Sequence, residues 1–525
     1  MPQTVHATPL AGSPVLIVGA GLMGAGIAQV AAEAGHPVIL HDLRAGAAAA
    51  ARDGIARALA ALVAKGRREP AAVEATLARI VPADTLDAGA DLAAVRLVVE
   101  AIVEQLPAKQ ALLRDLEARV GADCILATNT SSISVTAIAR GLRQPERVVG
   151  MHFFNPVPAM KLVEVVSGLA TAPAVADAVF ALAGAWGKTA VHARSTPGFI
   201  VNRIARPYYA EALALLQVRA ATPAAIDACL RGAGFRMGPC ELMDLIGHDT
   251  NFAVTQSVYE ANFFDKRYQP SLVQRELVDG GLLGRKSGRG FYRYPEGVPQ
   301  ADDDAVDAAV LAGLPLVLHG TGPIADLLAA RLAGAGLHFT RGDAAADVGL
   351  HIADARLLLT DGRSAAERAA PLGVAELALF DWPVGPAAMP ATLPAVALAW
   401  TAAPHASADV EARAAALLRA LGWAPRRFTD VPGLLVARTI AMLVNEASDA
   451  VEQGVCDAAG ADAAMTLGVN YPAGPFAWLA QWGAPTTTLL LDALDAHYRG
   501  ERYRVSPRLR RATWSAASTA RSAAR

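Results

Sequence analysis

The sequence has few cysteines and few aromatic residues, and neither sign of charge predominates. Its 525 residues include 4 cysteines, 6% aromatic residues and a formal net charge of -2. The cysteines show no CxxC spacing, which argues against a disulfide framework and a zinc site and favours a reducing cytoplasm. The small net charge gives no long-range attraction for nucleic acid or anionic membranes, so a small-molecule substrate is expected.

The chain also lacks a membrane-spanning apolar run and the basic, apolar pattern of a secretory signal. A transmembrane helix needs about 20 consecutive apolar residues. What the chain does have is length and apolar composition, because 53% of its residues are hydrophobic. That is enough to bury large cores, and the length predicts about three or four domains. We therefore expect a cytoplasmic protein with several domains.

A short apolar strand at residues 14–19 leads into a glycine-rich turn, which a helix and a second strand follow. Such a turn can hold a pyrophosphate at the N-terminus of the helix. Asp42, at the end of the second strand, would accept hydrogen bonds from ribose hydroxyls and would repel a 2′-phosphate. The pattern therefore predicts an NAD site rather than an NADP site. The predicted contacts are Gly19, Gly21, Leu22, Met23, Gly24 and Asp42.

Strands that alternate with helices continue along the chain and predict a parallel, doubly wound sheet. Ligands bind such sheets beyond the carboxyl ends of the strands. Glu104, Asn129 and Ser131 lie at such ends, so we expect all three near the ligand. Ser131 or Ser132 could instead cap the helix that is predicted to start near Ile133.

Two apolar, β-branched runs flank a segment with two prolines between residues 148 and 166. The pattern predicts a strand, a turn and a second strand, with His152 ending the first strand and Glu164 inside the second. A hairpin-like return would place the imidazole beside the carboxylate. Such a pair suits general acid and base catalysis, because the carboxylate fixes the tautomer of the ring. The alternative is a core histidine with a surface glutamate.

Other polar residues have two interpretations each. Asn202 falls in the first turn of a helix predicted over residues 199–217, where it is either structural or directed into the interdomain cleft. One basic cluster is either a solvated helix face or a contact for substrate phosphates: Lys65, Arg67 and Arg68. Three arginines are either surface and packing residues or contacts for a substrate carboxylate: Arg203, Arg206 and Arg236.

An internal repeat indicates that a helical domain occurs twice. Pro432-Gly433-Leu434-Leu435-Val436-Ala437-Arg438 repeats Pro197-Gly198-Phe199-Ile200-Val201-Asn202-Arg203, with Ala437 in place of Asn202. Between the copies, a degenerate version of the nucleotide-binding glycine turn retains Gly320 and Gly322. The predicted domains are an NAD-binding Rossmann-type domain (1–196), a helical domain (197–300), a degenerate Rossmann-like module (314–430), a second helical copy (431–510) and a mobile tail (511–525).

These motifs resemble those of the L-3-hydroxyacyl-CoA dehydrogenase family over the first 293 residues. The most specific block begins at His152, and the others are Gly19 to Gly24, Glu100 to Glu104, Thr128 to Ser132 and Pro197 to Arg203. The second helical copy and the degenerate Rossmann-like module resemble the long bacterial form of the family. That form is associated with phenylacetate breakdown and takes 3-hydroxyadipyl-CoA as its substrate.

The resemblance implies an NAD-dependent oxidoreductase that needs no metal and converts an L-3-hydroxyacyl-CoA to the 3-oxoacyl-CoA. His152 would be the catalytic base, Glu164 its orienting partner, Ser131 and Asn202 the polar contacts of the substrate, and Asn155 a support on the histidine side. Glu104 and Asn129 are assigned to the cofactor side.

The resemblance also leaves alternatives for the substrate and for the assembly. Rival substrates are 3-hydroxybutyryl-CoA, other fatty acyl-CoA molecules of β-oxidation and free hydroxy acids. A rival from another class is a non-catalytic NAD-binding structural protein, which would not need His152, Glu164, Ser131 and Asn202 together. The helical domains imply either a homodimer or pairing of the two copies within one chain.

Overall fold

The computed structural model of the protein describes residues 10–86, 92–299, 308–383 and 395–523. The chain divides into two compact units, residues 1–203 with 450–469 and residues 204–449 with 470–525. The predicted domain end at residue 300 and the last two residues of the predicted tail lie outside the described residues.

One large sheet forms the centre of the first unit. Its strands are β1 (Val15–Val18), β2 (Val38–His41), β3 (Ile80–Ala83), β4 (Leu97–Glu100), β5 (Ile125–Thr128), β6 (Val148–Phe153), β7 (Leu162–Ser167) and β8 (Thr189–Arg194). Their order is β3-β2-β1-β4-β5-β6-β7-β8. Neighbours from β3 to β6 are parallel, β7 is antiparallel to β6, and β8 is parallel to β7. The predicted doubly wound sheet is therefore confirmed.

Helices connect these strands and cover the sheet. They are α1 (Leu22–Glu33), α2 (Ala47–Ala64), α3 (Pro70–Ala78), α4 (Leu106–Glu117), α5 (Val135–Ile138) and α6 (Pro173–Ala185), with α7 (Val201–Ile204) after β8. All four residues of β1 are at most 2% exposed. A strand that is covered on both faces needs such a continuous apolar run, which is why this segment was recognisable in the sequence.

The second unit begins with the first helical copy. Its helices are α8 (Arg206–Gln217), α9 (Pro223–Gly232), α10 (Pro239–Ile246), α11 (His248–Ala261) and α12 (Leu272–Asp279). The single helix predicted over residues 199–217 is interrupted after Ile204. Pro207 has no backbone N–H and therefore cannot continue the hydrogen bonds of α7 into α8.

A second sheet carries the middle module. Its strands are β9 (Leu316–His319), β10 (Thr340–Arg341), β11 (Gly349–Ile352), β12 (Ala355–Leu359), β13 (Leu377–Phe380), β14 (Val396–Ala402) and β15 (Trp423–Arg427), and its helices are α13 (Pro323–Gly334), α14 (Ala365–Leu372) and α15 (Ala408–Ala420). The order is β10-β9-β11-β12-β13-β14-β15. Because β11 is antiparallel to both neighbours, the sheet departs from a parallel nucleotide-binding sheet next to β9.

The second helical copy repeats the first. Its helices are α16 (Val436–Glu452), α17 (Ala458–Gly468), α18 (Pro475–Trp482), α19 (Ala484–Tyr498) and α20 (Pro507–Ala523). The backbone repeats in detail, since Phe199 and Leu434 hold the same left-handed conformation, with φ of 48° and 47°. Helix α17 belongs to the first unit, where it packs on β7 and β8.

Within the second unit, the two copies contact each other through reciprocal ion pairs. Glu211 of the first copy accepts hydrogen bonds from Arg502 at 2.8 Å and from the Tyr503 hydroxyl at 3.0 Å. The equivalent Glu446 of the second copy accepts from Arg267 at 3.2 Å and from the Tyr268 hydroxyl at 2.5 Å. Such exchange of equivalent contacts is the signature of a two-fold, isologous interface. Here it is formed inside one chain.

Most of the segment predicted as a mobile tail is helical, while its mobility stays a prediction. Helix α20 continues through this segment as far as Ala523. The Arg510 guanidinium binds Asp492 at 2.6 and 2.7 Å, and the hydroxyls of Thr513 and Thr488 lie 2.8 Å apart. These partners lie in α19, so the Arg-, Ser- and Ala-rich composition of the segment alone could not indicate the contacts.

Candidate active site

The predicted nucleotide turn has the backbone that its glycines require. Gly19 adopts a φ of 102°, and a Cβ atom at Gly24 would lie 1.7 Å from the Gly19 carbonyl oxygen. A Cβ atom at Gly21, by contrast, would meet nothing within 4 Å. The turn therefore leaves open space beside Gly21, at the N-terminus of α1, where a pyrophosphate would bind. The exposed Leu22 and the partly buried Met23 begin this helix.

Asp42 lies at the end of β2 and already binds the nucleotide turn. One of its carboxylate oxygens accepts the backbone N–H of Ala20 at 2.8 Å, and the other accepts the backbone and side-chain N–H groups of Arg44 at 3.0 Å. The Arg44 guanidinium lowers the pKa of Asp42 to about 2, so the carboxylate is charged at neutral pH. It can accept ribose hydroxyls and repels a 2′-phosphate, but Arg44 brings a positive charge next to it.

Glu104 organises the turn that follows β5. One carboxylate oxygen accepts the Thr130 hydroxyl at 2.7 Å and the backbone N–H of Ser131 at 2.9 Å. Burial opposes the charge of Glu104, but Lys109 and these donors lower its pKa. The side chain of Lys109 is 1% exposed and also binds the fully buried Glu100 at 2.9 Å. Sequence reasoning missed Lys109, because a lysine at a helix position usually indicates a solvated face.

The polar residues beyond β5 divide between structural and ligand-facing positions. The side-chain oxygen of Asn129 accepts the backbone N–H of Phe153 at 2.9 Å, which ties the end of β5 to the end of β6. The expected capping role of Ser131 or Ser132 is wrong. Helix α5 begins at Val135, and its cap is Ser134, which accepts the backbone N–H of Ala137 at 3.2 Å. Ser131 and Ser132 lie in the turn held by Glu104.

His152 and Glu164 face each other across the antiparallel strands β6 and β7. The register pairs the two residues directly, and Nδ1 of His152 lies 2.6 Å from a carboxylate oxygen of Glu164. Glu164 is completely buried and His152 is 6% exposed. The imidazole contacts two aromatic rings, with centroid distances of 4.5 Å to Phe154 and 5.9 Å to Phe199. The carboxylate therefore orients a ring that is almost sealed from water.

The other carboxylate oxygen of Glu164 holds the start of α7. It accepts the backbone N–H groups of Ile200 at 3.1 Å and Val201 at 2.9 Å. Phe199, just before them, adopts the left-handed φ that bulky residues rarely take, at a cost of about 1–3 kcal/mol. One buried carboxylate thus fixes both the imidazole and the segment that presents Asn202.

Asn202 and Ser131 come together, whereas Asn155 does not reach the histidine. The Asn202 amide lies 3.5 Å from the backbone carbonyl of Ser131, at the limit of a hydrogen bond. Asn155 is exposed in the loop after β6, and within the described part of the chain no hydrogen bond joins it to His152. The role of Asn155 as a support on the histidine side of the site stays a prediction. The contacts of the imidazole that the structure shows are those with Glu164, Phe154 and Phe199.

The basic residues with two interpretations differ in burial. Arg68 lies in the turn between α2 and α3, where it forms an exposed ion pair with Glu33 at 3.2 Å. Arg203 is buried and donates to Gln453 at 2.9 Å. Arg236 is exposed, whereas Arg206 is 5% exposed. Arg206 therefore stands out as a buried guanidinium that packing alone does not explain.

The middle module has lost the equivalent of the histidine–glutamate pair. In the first sheet the antiparallel pair β6–β7 lies between parallel neighbours, and Pro156 follows four residues after His152. In the second sheet the antiparallel pair β13–β14 lies between parallel neighbours, and Pro383 follows four residues after Leu379. Leu379 and Thr401 are paired at that place in the second sheet. Neither side chain is a base at neutral pH. Asp381 takes over the other role of Glu164, since it accepts the backbone N–H groups of Leu435 and Val436 at 2.9 and 2.6 Å.

The described residues show neither a cluster of metal ligands nor a membrane-spanning helix. No group of three or more histidine, cysteine, aspartate or glutamate side chains there could hold a metal ion. None of the described helices is both long and apolar enough to cross a membrane.

Family profiles match most of the chain. Residues 14–196 match the NAD-binding domain of 3-hydroxyacyl-CoA dehydrogenase, and residues 198–294 and 433–522 each match its C-terminal domain. Residues 357–432 match the reduced Rossmann-fold domain of 3-hydroxybutyryl-CoA dehydrogenase. The two helical copies are thus recognised as the same domain.

Individual relatives agree with the profiles. The 3-hydroxyadipyl-CoA dehydrogenase of Escherichia coli is 44% identical over 94% of this chain and 96% of its own. A probable 3-hydroxybutyryl-CoA dehydrogenase of Bacillus subtilis is 42% identical and covers 54% of this chain and 97% of its own. The crystal structure of an E. coli 3-hydroxybutyryl-CoA dehydrogenase is 42% identical, with a TM-score of 0.85, and covers 97% of this chain and 99% of its own.

The contacts of Asp42 predict how the cofactor preference changes by mutation. Asp42→Ala should raise kcat/KM for NADP relative to NAD by about tenfold or more, because the repelling carboxylate is lost and Arg44 becomes free to contact a 2′-phosphate. The double variant Asp42→Ala/Arg44→Ala is the matched control and should gain much less. Steady-state kinetics with both cofactors measures the ratio, and an unchanged ratio in Asp42→Ala would contradict the ribose contact.

Proposed function

Because this chain belongs to the 3-hydroxyacyl-CoA dehydrogenase family, we propose that it oxidises 3-hydroxyadipyl-CoA to the 3-oxoacyl-CoA with NAD. The observation that carries the catalytic assignment is the buried imidazole of His152, held through Nδ1 by Glu164 at 2.6 Å. With Nδ1 protonated and bound to the carboxylate, Nε2 is the nitrogen left to accept a proton. His152 is therefore the base.

His152 takes the proton of the 3-hydroxyl group as the C3–H bond breaks. Bound NAD supplies the acceptor for the hydride. Glu164 stabilises the imidazolium that forms, in the way that a carboxylate supports the histidine of a serine protease. In the reverse direction the imidazolium donates its proton to the 3-oxo oxygen. Ser131 and Asn202, which lie next to each other, orient the substrate, and their approach is supported by the 3.5 Å contact between them.

The nucleotide turn and its surroundings hold the cofactor in this proposal. Gly19, Gly21, Leu22, Met23 and Gly24 surround the pyrophosphate, and Asp42 accepts the ribose hydroxyls. Glu104 and Asn129 act on the cofactor side by fixing the ends of the neighbouring strands, as their bonds to the backbone of Ser131 and Phe153 suggest.

Two acyl groups compete as the preferred substrate, because the names of similar proteins differ. The E. coli protein that matches 94% of this chain is named for 3-hydroxyadipyl-CoA, while a similar structure is named for 3-hydroxybutyryl-CoA. Both share the duplicated architecture over nearly their whole length, so architecture does not separate the two substrates. The name of the E. coli relative that is 44% identical supports the dicarboxylic substrate, and with it a place in the breakdown of aromatic compounds such as phenylacetate.

Steady-state kinetics with NAD and both acyl-CoA substrates tests the assignment. We expect a kcat/KM for 3-hydroxyadipyl-CoA about tenfold or more above that for 3-hydroxybutyryl-CoA, because only the first carries a terminal carboxylate with which a cationic side chain could pair. An equal or reversed ratio would favour the shorter substrate. Failure to oxidise either compound would contradict the whole assignment.

The reciprocal contacts of the two helical copies support a monomer. Glu211 and Glu446 each bind the equivalent arginine and tyrosine of the other copy, so the chain supplies both halves of a two-fold interface. We infer that this pairing replaces a homodimer contact.

The four free cysteines fit a cytoplasmic location, and burial raises the pKa of Cys124 to about 12, which leaves it unreactive.

The mass of the intact protein in solution tests the inference of a monomer. Light scattering coupled to size-exclusion chromatography should give the mass of one chain, 54.3 kDa, across the accessible concentration range. A stable species of twice that mass would show that the internal pairing does not replace a second copy.

A further inference from the structure

A cavity of about 210 Å³ lies within the second unit, among α8, α11 and the residues that precede α12. Three arginines contribute to its lining: Arg206, Arg267 and Arg502. None of the described residues that line it is acidic. The catalytic assignment makes no use of this cavity.

The three arginines differ in how their charge is balanced. Arg267 pairs with Glu446 at 3.2 Å, and Arg502 pairs with Glu211 at 2.8 Å. Arg206 has no carboxylate partner among the described residues. Its one hydrogen bond goes to the Thr255 hydroxyl at 3.0 Å, and its Nε atom is buried without a partner. The guanidinium carbon lies 4.9 Å from the centre of the Tyr209 ring.

A buried charge without a counter-ion destabilises a fold, so Arg206 needs an explanation. Burial lowers its pKa, which reflects the same cost. The second helical copy shows that the fold does not require this arginine. In the repeat, Ala441 occupies the position of Arg206 and Leu491 that of Thr255, and both are fully buried. At these two positions the equivalent helices therefore pack with apolar side chains.

We propose that this cavity binds a carboxylate carried on a short apolar chain, and that Arg206 is the residue that pairs with it. A carboxylate would give the Nε atom its missing acceptor, because a guanidinium can bind a carboxylate through two parallel hydrogen bonds. Apolar walls formed by Ala210, Leu213 and Leu272 suit the chain that carries it. A cavity of about 210 Å³ is sufficient for a short acid.

This chemistry has two sources, the terminal carboxylate of a dicarboxylic acyl-CoA and a free short-chain acid. The first source rests on the proposed oxidation of 3-hydroxyadipyl-CoA, while the second does not. In either case Arg206 discriminates by charge, since an acyl chain that ends in a methyl group leaves the guanidinium unpaired.

Binding to the full-length protein tests the site without using the reaction. Isothermal titration should detect monomethyl adipate, which has one carboxylate, and should not detect dimethyl adipate, which has none. Arg206→Met should lose this binding by about 10- to 100-fold, the usual range for one charge-assisted contact, and Arg206→Lys should retain part of it. Arg275→Met, at an exposed arginine of α12, is the matched control and should bind as the native protein does.

A second variant guards against misfolding. Arg206→Ala/Thr255→Leu reproduces the residues of the other helical copy and should fold, with a melting temperature equal to or above that of the native protein. It should also fail to bind monomethyl adipate. The proposal would be overturned if the native protein did not bind monomethyl adipate. It would also be overturned if Arg206→Met and Arg206→Ala/Thr255→Leu, which both lack the charge, bound this ester as tightly as the native protein does. Equal binding of inorganic phosphate would overturn the requirement for an apolar chain.

Kinetics with the same variants identifies the source of the carboxylate. If the cavity receives the substrate, Arg206→Met lowers the ratio of kcat/KM for 3-hydroxyadipyl-CoA to that for 3-hydroxybutyryl-CoA by about 10- to 100-fold. If the ratio stays constant while monomethyl adipate binding is lost, the cavity is a site for a free acid. A native protein that binds the ester but oxidises neither acyl-CoA would refute the proposed function and leave the carboxylate site in place.

Discussion

One buried carboxylate connects the chemistry of this protein to its architecture. Glu164 holds Nδ1 of His152 with one oxygen and two backbone N–H groups at the start of α7 with the other. A charged group with no solvent contact is stable only when its hydrogen-bonding capacity is filled, and here both oxygens are used. The same side chain therefore sets the tautomer of the base and the position of the segment that carries Asn202.

The duplicated half shows which of these roles belongs to the fold and which to the reaction. At the start of the corresponding helix, α16, the carboxylate of Asp381 accepts the backbone N–H groups as Glu164 does at α7. Asp381 follows the end of β13, whereas Glu164 lies within β7. The paired imidazole and carboxylate do not persist, because Leu379 and Thr401 occupy their places. Arg206 is also absent from the second helical copy, where Ala441 occupies its position. Differences between copies of one fold thus separate functional residues from structural ones.

Much of the fold and the core of the site could be predicted because they depend on local patterns. The glycine turn, Asp42 and the strand–turn–strand block around His152 are contiguous motifs, and a two-residue side-chain period makes the pairing of His152 with Glu164 a matter of register. Contacts between distant segments could not be predicted. The buried Lys109 and the packing of α20 each depend on partners that only the folded chain brings together. The cap at Ser134 was missed because four hydroxyl residues follow in close succession and only their geometry separates them.

The most direct test of the account is the activity of Glu164→Gln. Glutamine keeps an oxygen for the N–H groups of Ile200 and Val201 but turns an NH₂ group toward His152, which favours the tautomer that cannot accept a proton at Nε2. The account predicts a loss of kcat of about 10³- to 10⁴-fold, with NAD binding and melting temperature close to native. Near-native turnover in a variant that folds and binds NAD would contradict it.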